Sequence, residues 1–277
     1  MSDRTEVRRW VPLGVVAAAL CLMPSPLLQA QGRGGPQGPP PTGRLGARID
    51  LTGYWVSIVT EDWRWRMVTP AKGDYASVPL NAEGRRVADT WDPAKDEASG
   101  NQCRAYGASG IMRVPERLHI TWQDDNTLKI ETDAGEQTRL FHFAGKPPQN
   151  IEPSWQGYSV ATWNGPPLPR RGAQAQGATQ TSGPGALQEL ESRGGSLQVV
   201  TNHLRPGYLR KNGVPYSANT LLTEYYDRTY EPNGDSWLIV TTIVDDPQYL
   251  QQPFITSTHF KKLPDASGWH PAPCTAR

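Results

Sequence analysis

The sequence predicts an all-β fold, an antiparallel up-and-down barrel with one short helix and long inserted loops. Three observations carry this. Between Arg117 and Lys262 strand-like segments alternate with tight turns, and Asx and Gly residues supply the turn chemistry at Asp124-Asp125-Asn126, Asp133-Ala134-Gly135 and Glu231-Pro232-Asn233-Gly234. Connections this short leave only antiparallel pairing between the segments they join. Nine such segments occur along the chain, and a meander of that many strands hides its edges by closing on itself, which makes a barrel with an interior.

Residues 1–30 stand apart from that series. Arg4, Arg8 and Arg9 make a basic start, Val11 to Leu22 is apolar, Pro24 and Pro26 break it, and Ala30 offers a small residue at a cleavage point. The segment reads as an export signal peptide. Its apolar run is shorter than the roughly 20 residues a spanning helix needs, so no stable membrane span is expected after cleavage. Cleavage leaves 25 basic and 25 acidic side chains. With no net charge, a nucleic-acid partner is not expected, because phosphate binding needs a surplus of Lys and Arg. Cleavage also leaves two cysteines, Cys103 and Cys274. In an oxidising exported compartment, periplasmic or secreted, an even pair predicts one disulfide. It would tie the Pro-rich tail, 264–277, to the region before the meander, and closing so long a loop is worth about 4 to 5 kcal/mol in the chain-entropy model. Neither cysteine has a CxxC or metal-type spacing, so thiol redox catalysis and structural zinc are not expected.

Taken in order, residues 31–48 are Gly, Pro and Arg and read as a disordered linker, since they offer too little apolar surface to offset ordering entropy. The barrel domain follows over 49–263. Its first strand is Leu51 to Val59. Trp63-Arg64-Trp65-Arg66 alternates indole and guanidinium, which on a strand sends rings to one side and cations to the other, an arrangement suited to clamping an anion. A helix is predicted from Ala82 to Trp91, with Asn81 as its cap and Pro93 near its stop. The next strands are Arg117–Gln123, Thr127–Thr132, Glu136–Phe143 and Gly157–Trp163. A low-complexity insert over 166–195 interrupts the hairpin between Gly157–Trp163 and Ser196–Asn202. Thr220–Tyr230, Asp235–Val244 and Ile255–Lys262 complete the series.

Gly53-Tyr54-Trp55 has the Gly-x-Trp form and resembles the opening motif of lipocalins, and the strand order agrees with a lipocalin-like barrel. In that family the Trp closes the barrel's bottom and a basic residue from a late strand packs over it, which implies that role for Arg228, Lys261 or Lys262. The segment 61–110 and the insert depart from the family's pattern. A second resemblance spans most of the mature chain. It rests on Leu51-Thr52-Gly53-Tyr54-Trp55, on Pro153-Ser154-Trp155-Gln156-Gly157-Tyr158-Ser159-Val160, on Thr223-Glu224-Tyr225 and on Asp245-Asp246-Pro247. These are similar to a large group of exported bacterial proteins that share P-[TS]-W-x-G-x-S-V and a later E-R-F-type strand. That resemblance implies bacterial export and a shared architecture, and it transfers no catalytic residue.

Strand alternation puts Glu224, Tyr226 and Arg228 on one face and Tyr225 with Asp227 on the other, and Leu222 and Leu221 leave the inward face undecided. A buried Glu224 is either a general acid or base, working with His119 or His259 from other strands, or the satisfied partner of an arginine such as Arg139. No two histidines have i, i+2 or i, i+4 spacing, so no metal site is expected, and no cofactor is expected either. Nine Trp and ten Tyr in the mature chain, against four Phe, favour rings that carry a polar handle and suit planar or sugar-like ligands. Trp63, Trp65, Trp122, Trp155, Trp163, Tyr226 and Arg139 are the candidate ligand contacts. Three functions follow as expectations. The first is a barrel that binds a small apolar, aromatic or sugar-like molecule. The second is a cofactor-free lyase, isomerase or hydrolase built on the Glu/His pair. The third is an envelope structural or partner-binding module.

Overall fold

A computed structural model describes residues 43–144, 147–165 and 194–277. The expected signal peptide, the linker as far as residue 42 and nearly all of the insert lie outside the described residues. The chain runs β1 (Gly53–Ile58), α1 (Trp63–Arg66), α2 (Ala82–Ala88), α3 (Pro93–Ala98), a 3-10 turn (Gln102–Tyr106) and α4 (Ala108–Ile111). It continues with β2 (Arg117–Asp124), β3 (Thr127–Thr132), β4 (Ala134–Gly135), β5 (Thr138–His142), β6 (Tyr158–Asn164), β7 (Ser196–Asn202), β8 (Gly207–Arg210) and β9 (Val214–Tyr216). The last strands are β10 (Leu221–Tyr230), β11 (Ser236–Asp245), β12 (Phe254–Leu263) and β13 (Ala272–Pro273). The all-β expectation holds, and among the described residues four short helices take the place of the single one expected. Asn81 caps α2 by accepting from Gly84 N at 2.8 Å.

Nine strands close the barrel in the order β1-β12-β11-β10-β7-β6-β5-β3-β2. A purely antiparallel ring needs an even number of strands, because direction must alternate all the way round. Nine force at least one parallel contact. It falls between β5 and β6, where Phe141 pairs with Ser159 and His142 with Val160. The chain between these strands is long enough to return to the starting end of the barrel, as a parallel connection requires. The sheet is therefore mixed, which corrects the up-and-down antiparallel expectation.

Alternation fills the interior. Trp55, Phe141, Tyr226 and Phe260 meet Leu118, Ile120, Leu128, Leu197, Val199 and Leu238 about the axis, all buried. Burying each large side chain contributes roughly 1.5 to 3 kcal/mol. Both ends are covered. At one end Trp163 stacks on Phe143 at 5.4 Å, Trp122 meets the same ring at 5.4 Å with its plane tilted, and Trp163 Nε1 donates to Gly43 O at 2.7 Å. The last residues assigned to the linker are thus packed onto the barrel, since Arg44 N also donates to Asp125 O at 2.9 Å. At this end Lys262 Nζ lies 4.6 Å and Arg228 5.4 Å from the Trp55 ring centre, and Arg228 also lies 4.4 Å from that of Tyr230. Lys261 instead pairs with Asp235 at 2.8 Å.

The other end carries a cap built from 61–115, β8, β9 and the tail. A second core of Tyr75, Leu80, Leu209 and Tyr216 seats it on Leu222, Val244 and Phe254 of the barrel rim. The tail is fixed rather than loose. Cys103 and Cys274 form the disulfide, and Ala272 pairs with Ala134 of β4. Gly135 has φ +78°, and a Cβ there would sit 2.4 Å from the Tyr106 ring, so this turn requires glycine.

Candidate functional site

The inward face of β10 is that of Leu222, Glu224 and Tyr226. Arg139 of β5 reaches across the interior and donates to both Glu224 oxygens, at 2.9 and 2.5 Å. Tyr226 OH donates to Glu224 Oε1 at 3.1 Å and lies 3.3 Å from Arg139 Nη1. Burial works against the Arg139 charge, but Glu224 and its neighbours outweigh it and hold the guanidinium above its ordinary pKa. This is a closed, doubly hydrogen-bonded ion pair in a packed wall, with Arg139 Nε left unpartnered among the described residues.

The histidines proposed to work with Glu224 are on the opposite, outer face of the barrel. His119 stacks on Tyr54 at 4.2 Å and lies 3.2 Å from Glu131. His259 lies 3.3 Å from Glu61. The wall separates both from the Glu224 carboxylate, so no common cavity joins the expected acid–base set. Among the described residues no three of His, Cys, Asp and Glu gather as metal ligands would.

The tryptophans also divide. Trp122 and Trp163 are structural rings at the closed end of the barrel, and Trp155 is covered by Arg205 at 4.5 Å. Tyr226 and Arg139 are consumed by the Glu224 network. Trp63 projects to solvent at 66% exposure. Trp65 lines a pocket, and that pocket lies in the cap, not in the barrel.

The pocket holds about 320 Å³. Arg66, Arg113, Arg210 and Lys211 line it together with Trp65 and Tyr106, and no carboxylate is among its lining residues. Three separate stretches of chain supply the cations. Arg66 comes from α1, which forms as one helical turn, so the strand-like alternation of indole and cation expected over 63–66 does not occur. Arg113 follows α4, and Arg210 ends β8.

Each cation is held from behind. Arg66 pairs with Glu61, donates to Arg113 O at 2.9 Å and to Ser57 Oγ at 3.2 Å. Arg113 Nη2 donates to Asp62 Oδ2 at 2.7 Å. Asp62 has φ +50°, a left-handed conformation that aspartate tolerates better than most residues. Arg210 Nη1 donates to Ala76 O at 2.6 Å, and its guanidinium lies 5.1 Å from the Trp65 ring centre. Trp65 is itself fixed by donation from Nε1 to Asp74 Oδ1 at 3.1 Å. Lys211 Nζ reaches Arg277 O at 3.0 Å and lies 4.9 Å from the Tyr106 ring centre.

The supply of acceptors falls short of the donors. Arg113 Nη1, Arg210 Nε and Arg210 Nη2 are buried and have no hydrogen-bond partner among the described residues. A buried donor without an acceptor costs about 1 to 3 kcal/mol, and more when charged. Charge crowding acts in the same direction. Burial, then the nearby Arg113 charge, pushes Arg210 down to about 10. Burial also lowers Arg66, against the opposing pull of Glu61. Glu116 lies at the barrel's capped end with both carboxylate oxygens buried and unpartnered, and burial, reinforced by Asp133, raises its pKa well above the ordinary range.

Sequence spacing gives Arg113, Arg210 and Glu116 no signal, because the site joins segments far apart in the chain. The Trp-Arg alternation is the one local trace, and it leads to Trp65 and Arg66 through a helix. Neither a protein-family model, nor a curated protein, nor a solved structure matches this chain.

Proposed function

We propose that this protein is an exported binding module that takes up a small organic anion in the cap pocket formed by Trp65, Arg66, Arg113 and Arg210. The carrying observation is that four cations and no carboxylate line one pocket, while three guanidinium nitrogens of Arg113 and Arg210 are buried without an acceptor. An oxyanion in the pocket would relieve the repulsion between neighbouring guanidiniums. The Trp65 and Tyr106 rings give the site an aromatic side, which favours an organic anion over a bare ion. The expectation of a ligand within the barrel thus moves to a ligand on its cap. Export is supported by the Cys103–Cys274 disulfide, which persists in an oxidising compartment. Among the described residues no helix is long and apolar enough to cross a membrane.

The test is a calorimetric titration of the full chain with inorganic phosphate, benzoate, phenyl phosphate and uncharged phenol. The reading expects the anions to bind, phenyl phosphate best, with affinity that falls as salt rises. Phenol binding as tightly as phenyl phosphate, or none of the anions binding, would overturn it.

A further inference from the structure

The wall of the cationic pocket is unusual on its open side. Met67 and Val68, which line it, are 58% and 69% exposed, and Trp63, one helical turn before Met67, is 66% exposed. Single exposed apolar side chains are ordinary on a protein surface, but three within six residues at the edge of one pocket make a local patch. The patch leads somewhere. Thr69 lines the cationic pocket and also a second pocket of about 470 Å³, whose walls are Pro70, Ala71, Trp91 and Pro93 together with Lys72, Asp92 and Arg277. Trp91 is the one aromatic ring of that lining.

Resting on the anion-binding reading above, we infer that the natural ligand is a single-chain amphiphile, with its anionic head among Arg66, Arg113 and Arg210 and its apolar chain laid over Met67 and Val68 toward Trp91. Charge complementarity fixes the head, because only one of the two pockets combines a cluster of cations with an absence of carboxylates. The apolar strip and the shared wall at Thr69 fix the direction of the chain. A compact ion such as inorganic phosphate would fill the head site and leave the strip exposed. An amphiphile covers both, and each methylene it buries adds to affinity independently of salt. The occupant is the free, monomeric amphiphile and not a bilayer surface. Arg66, Arg113 and Arg210 are buried in the cap, where a plane of headgroups cannot lie against them.

The experiment is a titration of the full chain with ethyl, butyl, hexyl and octyl phosphate, each below its critical micelle concentration, beside inorganic phosphate and neutral octyl glucoside. The inference expects affinity to rise about twofold or more per added methylene, up to the roughly fourfold that complete burial gives. The surface variant M67S/V68S is expected to bind octyl phosphate at least 10-fold more weakly and to lose most of the rise in affinity with chain length. Affinity that is flat with chain length while phosphate and phenyl phosphate still bind would overturn the amphiphile and leave the anion site standing. No binding of any phosphate would overturn both. Octyl glucoside equal to octyl phosphate would overturn the requirement for an anionic head. Sedimentation with anionic phospholipid vesicles by a protein that ignores monomeric octyl phosphate would replace the free amphiphile with a membrane surface.

Discussion

Arg210 lies with its guanidinium 5.1 Å from the centre of the Trp65 ring, gives one N–H to Ala76 O, and leaves Nε and Nη2 without an acceptor in a buried setting. That pairing sets a charge on an aromatic face beside two further arginines and gives it no hydrogen bond to a carboxylate. Arg139 differs in that it gives both Nη groups to the Glu224 carboxylate, although its Nε too is buried without a partner. Arg139 closes a pair inside the barrel, and Arg210 lines a pocket without one.

The Arg139–Glu224 pair is structural, and its removal should act on stability in a particular way. Glu224→Gln or Arg139→Met alone leaves a buried group uncompensated, and each should cost about 3 to 5 kcal/mol in urea unfolding. Replacing the whole network in R139M/E224L/Y226F should recover most of that loss. Single variants that lose less than about 1 kcal/mol would show that the pair is not held as tightly as its 2.5 and 2.9 Å contacts indicate.

The disulfide ties segments 171 residues apart. Its removal in C103S/C274S should lower stability by about 2 to 5 kcal/mol, by freeing the unfolded chain and loosening the tail from β4. The wild-type protein in reductant should show the same drop in its unfolding midpoint, and the variant should not respond to reductant at all. A reductant effect of equal size in the variant would point to a different cause.

Glu116 should make stability depend on pH. Its folded-state pKa is raised, so above the ordinary carboxylate pKa of 4.5 the folded chain retains a proton that the unfolded chain has released. Stability from this group is therefore full below that value and falls as pH rises toward the raised one, by at most about 1.4 kcal/mol per pH unit. Glu116→Gln is neutral at every pH. It should match the wild type near pH 4 and exceed it at pH 8. Parallel stability curves for the two proteins across that range would contradict the assignment.

Most of the barrel is legible in the sequence because strand alternation and Asx-Gly turns are local signals. β2, β3, β7 and β10 to β12 fall within a residue or two of where the pattern puts them. The inward face of β10 is not legible, since Leu221 and Leu222 point to opposite faces, and only the reach of Arg139 across the interior decides it. The parallel contact follows from the odd strand count, a global constraint that no single segment displays. The cap is the least legible part. Its helices are four to seven residues long, too short for a hydrophobic period to develop, and α1 forms from a run that reads as strand. The cation pocket is hidden for a related reason, because Arg66, Arg113 and Arg210 meet only once β8 and the tail are folded over the barrel's end. Chain composition hides it too, since the whole chain has 28 basic and 27 acidic side chains and the excess exists only locally.

The most direct test of the anion pocket is a paired measurement on Arg210→Met, recording its unfolding midpoint in anion-free buffer and its affinity for phenyl phosphate. Methionine keeps apolar bulk against Trp65 and removes two unpartnered charged donors. The account predicts a midpoint equal to or above that of the wild type, together with affinity reduced at least 10-fold. A variant that binds phenyl phosphate as the wild type does, or that unfolds far more easily, would mean that Arg210 serves the fold and that the pocket is not a site for anions.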